Sequence, residues 1–379
     1  MIKRTLQELC LNITDGKHGD CETEENSGYY FISCKDIFDG QINYKNARQI
    51  TKADFEETHK RTMLEVDDIL LTNSGTIGRM AFVTDREATT KTTFQKSVAI
   101  IKPDKQKVLP RYLYYQLQNC VPQFINSSNG SAQKNLLLST MRTFRIEIEE
   151  NREKQEKIAN TLSAYDDLIE NNQKQIKLLE EAAQRLYKEW FVDLHFPGHE
   201  NTKIVDGVSE GWSRGLLKEL ISVNYGKDHK KAPDDGNIPV YGTGGLMRKC
   251  NKSLFSGEAV LIPRKGSLNN IMYVDETFWT VDTMFYATMK QPHTAVFVYF
   301  FVKAFDMYSM NIGAAVPSMT TKILDAMDVV IPDKETLEKF DKYEKVYFNK
   351  IKTLQGQNER LKAARNLLLP KLMSGEVEV

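Results

Sequence analysis

The sequence predicts an α/β (α+β) chain: two similar globules joined by two long antiparallel helices that form a coiled coil, a tandem repeat with pseudo-twofold symmetry. Three observations carry this expectation. One is a heptad seam near the middle of the 379-residue chain, the second is another seam near its end, and the third is a loose duplication of short motifs ahead of each seam.

The first seam runs through Ile158, Leu162, Tyr165, Ile169, Asn172, Ile176, Leu179, Ala183, Leu186 and Trp190, at alternating gaps of four and three. Such spacing keeps one stripe of a helix facing a partner helix. The second seam is Phe340, Glu344, Tyr347, Ile351, Leu354, Asn358, Leu361, Arg365, Leu368 and Leu372. In an antiparallel pair, facing positions have numbers that add to a constant. A sum of 530 sets Ile158 on Leu372, Leu162 on Leu368, Ile169 on Leu361, Leu179 on Ile351 and Trp190 on Phe340. The same sum sets Asn172 against Asn358 and small Ala183 against large Tyr347, so one polar pair would fix register within an interleaved apolar seam. Tyr165 falls opposite Arg365, where the two can stack. Leu186 falls opposite Glu344, a pairing that fits only near an open end. The plainer alternative is two amphipathic helices packed separately on globular cores, and the coincidence of the two asparagines weighs against it.

Length favours two or more domains, and 41% hydrophobic with 27% charged residues describes an ordinary globular protein. The longest apolar run, Ala295 to Val302, is too short to span a bilayer, and the N-terminus has no signal-peptide core, so the expected location is the cytoplasm, away from membranes. Cys10, Cys21, Cys34, Cys120 and Cys250 form no CxxC pair, and His195 and His199 flank a Phe-Pro-Gly turn without a third ligand nearby; neither a disulfide framework nor a metal site is expected. A net charge of zero argues against a wholly basic nucleic-acid coat, although local patches matter more than the total.

The motifs then repeat in order. Leu6-Gln7-Glu8-Leu9 matches Leu217-Lys218-Glu219-Leu220, Gly16-Lys17 matches Gly226-Lys227, and the stretch from Gly75 to Val83 matches that from Gly266 to Val274. Gly130-Ser131-Ala132 pairs with Gly313-Ala314-Ala315, and Phe144 to Ile148 with Met327 to Ile331. The bodies read as short strands ending at glycine-bearing loops: residues 68–72 and 97–101 in the first copy, 259–262 and 284–287 in the second. Residues 111–117 are expected to be helical, and so are residues 296–302, whose β-rich composition yields to the repeat. The expected boundaries are a globule over 1–149, a helix over 150–194, a second globule over 195–332 and a second helix over 333–379. Pro332 precedes the second helix, whereas Glu149 in the matching place predicts a softer start for the first. One helix carries the chain out and the other brings it back, so a dumbbell follows; 32 residue steps at about 1.5 Å put the globules roughly 45–50 Å apart.

Catalytic motifs of the common kinds are absent: the chain has no P-loop, no dinucleotide-binding glycine fingerprint, no HExxH and no Asn/Asp-Pro-Pro-aromatic. Pro332-Asp333 with Glu335 resembles a nuclease motif without its lysine and reads as a helix cap with a first-turn acid. Binding is better supported. From Arg214 to Asn270 there are ten Lys or Arg against five Asp or Glu. The turn-rich loops hold Lys227, His229, Lys230 and Lys231, then Arg248 and Lys249, then Arg264, Lys265 and Ser267. The first-copy equivalents are Lys17, His18, Asn73, Ser74, Thr76, Arg79, Lys91, Thr93, Gln95 and Lys96. Such loops neutralise phosphates and reach base edges, Arg or Lys reading guanine and Asn or Gln reading adenine. Taken singly, each of these residues is equally well a solvated turn residue, and His18 and His229 equally well cap their turns.

These residues resemble the specificity subunit of type I restriction–modification systems. The resemblance rests on Asp15-Gly16-x-His18, Tyr30-Phe31-Ile32-Ser33 with Asp36-Ile37, and Asp68-Ile69-Leu70 through Gly78 in the first copy. In the second it rests on Pro239 to Gly245, Arg264-Lys265-Gly266-Ser267 and Phe278 to Thr283, and it continues through Ile158-Ala159, Leu162, Asp166 and Ile169. Asn269 departs from the pattern, standing where the first copy has Gly78. The resemblance implies two target recognition domains, with Tyr241, Thr243 and Asn269 joining the DNA-facing set. It also implies a non-catalytic subunit without a cofactor, each domain reading one half of a bipartite double-stranded DNA target. The helix pair would set the spacer and dock two copies of an adenine-N6 DNA methyltransferase (M) subunit, and a motor-nuclease (R) subunit would join for cleavage. A coiled-coil assembly scaffold without DNA readout is the alternative; it leaves the basic loops of the second copy unexplained. An autonomous nucleic-acid hydrolase is the weakest reading.

Overall fold

The computed structural model describes residues 1–85, 87–128, 134–310 and 318–378. They divide into two compact units, one of residues 1–171 with 357–379 and the other of residues 172–356. The glycine-serine-alanine and glycine-alanine-alanine matches at 130–132 and 313–315 lie outside the described residues.

In the first unit an antiparallel sheet runs in the order Cys10–Asp15, Val98–Pro103, Ile69–Thr72, Met80–Phe82. Its central strands are unbroken apolar runs because both faces are covered. Ile69, Leu71, Ala99 and Ile101 point into a core with Tyr112 and Tyr115 of the helix Pro110–Asn119, while Leu70, Val98 and Ile100 pack with Ile32, Ala81 and Phe94 on the other side. That second layer holds Tyr30–Ile32, which runs parallel to Thr92–Phe94.

The second unit repeats the plan. Its sheet begins Ile221–Tyr225, Met284–Met289, Phe255–Pro263, Met272–Thr280, in the same sequence of neighbours. Val260, Ile262, Phe285 and Ala287 face the helix Ala295–Lys303, and Ala259, Leu261 and Met284 face the other layer. The β-rich run at 296–302 is thus a helix. Its valines and phenylalanines are buried nearly all round, and such burial overrides a local preference for strand.

The LxEL match has a physical basis in both units. Both leucines of each are buried, and the glutamate reaches back to a backbone N–H: Thr5 N donates to Glu8 at 2.6 Å, and Leu216 N to Glu219 at 2.8 Å. Short antiparallel pairs, Ile2–Thr5 with Arg145–Ile148 and Ser213–Leu216 with Asp328–Ile331, tie each copy's first strand to the strand preceding its long helix.

The long helices are Arg152–Tyr187 and Lys334–Ser374. All ten seam positions of each are buried or half-buried, Asn172 and Asn358 among the buried ones. Within the first unit, Ile158 and Leu162 share a core with Leu369 and Leu372, and Arg365 pairs with Asp166, so the two helical segments there run antiparallel. Within the second unit, Trp190 meets Phe340 with ring centroids 5.7 Å apart, as the sum rule expects. The first helix ends in a π turn, Lys188–Val192, whose wider spacing also brings Phe191 onto Phe340, at 4.7 Å.

Two expectations about the helices are corrected. The first helix does not start softly: with no proline before it, the Asn151 side-chain oxygen still caps it, accepting from the N–H groups of Glu153 and Lys154 at 2.9 and 3.2 Å. Asp333 caps the second in the same way, accepting from Thr336 N at 2.9 Å and from the Trp212 indole at 2.9 Å. Glu344 is at no open end. It is fully buried, and neither carboxyl oxygen has a hydrogen-bond partner among the described residues. Burial pushes its carboxyl from the ordinary 4.5 up to about 8.

Two predictions follow from this packing. The unfolded chain ionises Glu344 from about pH 4.5, whereas the folded chain keeps the proton to about 8, so this residue erodes stability progressively across that interval and by a constant amount above it. Glu344→Leu is therefore expected to raise stability at pH 8 by on the order of 4 kcal/mol and to flatten the pH dependence between 4.5 and 8, as read by denaturant melts across pH. The second concerns two glycines at the same place in each copy. A Cβ on Gly16 would lie 1.9 Å from the Phe94 carbonyl oxygen, and one on Gly226 would lie 2.0 Å from that of Val281. Gly16→Ala and Gly226→Ala are each expected to destabilise by about 3 kcal/mol in the same assay, because backbone rather than a side chain must yield.

Candidate nucleic-acid interface

Each sheet ends in three loops held together by backbone hydrogen bonds. In the first unit Lys17 N donates to Phe94 O at 2.8 Å, Lys96 N to Lys17 O at 3.1 Å, and Asn73 N to Ser97 O at 3.0 Å. In the second, Lys227 N donates to Thr280 O at 2.9 Å, and Arg264 N to Thr283 O at 2.8 Å. Gly75 and Gly266 then turn with φ of +78° and +81°, a conformation that favours glycine. The loop carbonyls are used alike: Leu136 N donates to Asn73 O at 2.8 Å and Met319 N to Arg264 O at 2.9 Å. Asn73-Ser74-Gly75-Thr76 and Arg264-Lys265-Gly266-Ser267 are therefore the same loop in two copies. The second-copy turn is pressed against its neighbour, for Asn270 donates to Thr243 O at 2.8 Å.

The expected residues separate into exposed and committed side chains. His18, Thr76, Arg79, Lys96, Lys227, Lys230, Lys231, Lys249, Lys265 and Ser267 are exposed, and Ser74, Gln95, His229, Thr243 and Arg264 half-buried. Lys91 is exposed at the far end of the strand Thr92–Phe94, away from the loops that hold Lys17. Thr93 is fully buried with its hydroxyl 3.2 Å from that of Thr62, and Asn73 is 4% exposed; these two side chains belong to the interior, which corrects their inclusion.

Several cations are already paired within the chain. Lys17 donates to Asp54 at 2.8 Å and Glu57 at 3.0 Å; these hydrogen bonds raise its pKa and lower that of Asp54. Arg248 binds Asp234 and the carbonyls of His229 and Ala232, fastening the 229–234 loop to its strand. Asn269 donates to Asp306 at 2.9 Å and accepts from Met307 N at 2.7 Å, while Tyr241 donates to Glu276. Burial, followed by that hydrogen bond, raises the Tyr241 pKa. Lys17, Arg248 and Asn269 thus brace loops, while Tyr241 ties the strand Ile238–Gly242 to the strand Met272–Thr280.

Two residues escaped the sequence reading. Arg61 stands half-exposed at the end of the helix Lys52–Thr62 and pairs with buried Asp15, whose other carboxyl oxygen lies 3.0 Å from His18 Nε2. Among the described residues the second copy has no counterpart of this helix, so the repeat could not flag it. Tyr225, exposed beside Gly226, lies under the Arg264 guanidinium, 5.5 Å from ring centroid to carbon. Its position one residue ahead of a repeated glycine was the available signal.

The family model described as "Type I restriction modification DNA specificity domain" matches residues 3–181 and 209–363. The chain belongs to this family. It is 26% identical over 394 residues to the type I restriction enzyme MjaIX specificity subunit of Methanocaldococcus jannaschii, covering 92% of this chain and 87% of that one. With the EcoBI specificity subunit of Escherichia coli it shares 26% over 245 residues, 61% of this chain and 48% of the relative. Its fold is that of the type I restriction–modification S subunit from M. genitalium, at a TM-score of 0.59 and 19% identity, covering 98% of this chain and 95% of that one. Both matched segments of the specificity family contain one complete sheet with its loop end. No helix among the described residues is long and apolar enough to cross a membrane.

Proposed function

We propose that this chain is the non-catalytic DNA-reading subunit of a type I restriction–modification complex, each copy's loop end reading one half of a bipartite asymmetric target. The observation that carries the reading is the duplicated sheet end. One backbone arrangement presents different side chains in the two copies, as reading two different half-sites requires. Exposed Lys96, Arg79, Lys227, Lys230, Lys231 and Lys265 contact phosphates, and side chains rooted in the loops meet base edges.

The helices act as a ruler, with Asn172 and Asn358 setting register. A helix pair of fixed length between two readers sets the unread spacer between their half-sites. The pseudo-twofold pair gives two equivalent platforms for two adenine-N6 methyltransferase subunits, and a motor-nuclease subunit joins for cleavage. Domain boundaries at 149/150, 194/195 and 332/333 follow from the same reading, as does a cytoplasmic location without a cofactor.

The test is an exchange. Residues 1–149 are replaced by the matching segment of another family member, the chimera is co-expressed with its methyltransferase, and adenine methylation is mapped. One half of the methylated motif is expected to change while the other half stays as it was. Change in both halves, or in neither, defeats the reading. Binding of the complex to a random-sequence duplex is expected to fall steeply with salt; salt-independent or absent binding favours a scaffold.

A further inference from the structure

The same loop position is occupied by Asn73 in the first copy and Arg264 in the second, and the two differ in what they leave free. Asn73 is buried. Arg264 is half-buried and held at two points: its guanidinium lies over the Tyr225 ring at 5.5 Å, and its Nη1 donates to the Asp282 carbonyl at 3.1 Å. Among the described residues its Nε and Nη2 make no hydrogen bond. The two contacts together immobilise a planar group and leave its Nε–Nη2 edge open, which is two parallel N–H donors in a fixed fork. Tyr225 occupies the place of Asp15, the residue before the repeated glycine, so each copy fills this pair of positions differently. Asp15 holds the exposed His18 and Arg61 instead.

We propose that Arg264 reads a guanine in the half-site bound by the second copy, and that Tyr225 is the residue that positions it. This deepens the DNA-reading function proposed above and rests on it. The open fork matches the two acceptors, N7 and O6, that guanine alone presents side by side in the major groove. The cation–π contact with Tyr225 restrains the guanidinium from one side, and the Asp282 carbonyl holds its Nη1 end. A cation bound only to phosphate needs no such restraint, whereas bidentate readout does, because both bonds must form together.

The wild-type chain with its methyltransferase supplies the methylated motif, and duplexes carrying that motif with each read base pair replaced in turn then compete for the purified complex. Arg264→Lys keeps the charge and removes the fork. It is expected to reduce discrimination about ten- to hundredfold at one guanine, in the half that follows an exchange of residues 195–332, and nowhere else. Tyr225→Leu is expected to shift the same base pair several-fold, and Tyr225→Phe, which keeps the ring against Arg264 and Phe285, to restore it. If Arg264→Lys retains discrimination at every position, or weakens all duplexes alike as a phosphate contact does, the guanine assignment is overturned while the DNA-reading function stands. A wild-type complex that binds all duplexes equally brings down both.

Discussion

The arrangement depends on covering each antiparallel sheet on both faces. A four-residue strand such as Ile69–Thr72, with every side chain buried, cannot stand at a solvent boundary. A helix must cover one side and a second β-layer the other. Once both layers are in place, the faces of the sheet are closed and its end, where the strands give way to loops, stays available to a ligand. The glycines at 16 and 226 then let one loop cross another at backbone contact, and that crossing gathers three loops into a single surface. The position of the candidate interface therefore follows from how the core is closed.

The two copies share this framework and differ in what decorates it. The LxEL turns, the short terminal strand pairs, the sheet order and the carbonyl contacts of the loops are common to both. Each of these features satisfies backbone groups or buries leucines, so each tolerates little change. The side chains projecting from the frame follow no such rule. Asp15 with Arg61 and His18 stands where the second copy has Tyr225 under Arg264, and among the described residues the helix Lys52–Thr62 belongs to the first copy alone. Family membership accounts for the shared frame; reading two unlike half-sites would account for the divergence.

This division also explains what was legible in the sequence. The helices were legible because a heptad seam is a repeated local constraint, and its buried positions, including Trp190 against Phe340, came out of spacing alone. The sheets were legible through the repeat, which even carried the β-rich run at 296–302 to a helix. The binding loops were only half legible. Spacing marks Lys17 and Arg248 as basic residues in turns, but Asp54, Glu57 and Asp234, which bind them, come from other segments. Thr93 and Glu344 failed for a related reason. Whether a residue in a short strand or at a helix seam is enclosed depends on layers that a single stretch of sequence does not contain.

Internal pairing of cations bears on how such a reader would discriminate. The chain is neutral overall, and in the first copy Lys17 is cancelled by two carboxylates and Arg61, at the end of a helix, by Asp15. Attraction to phosphates is indifferent to sequence, so every cation left free raises affinity for wrong and right sites equally. A protein that reads two separated half-sites gains most from donors whose direction is fixed and least from surplus charge. In such a reader a neutralised lysine that braces a loop, as Lys17 does, together with a restrained fork such as Arg264, would shift the balance of binding from the phosphates towards the bases.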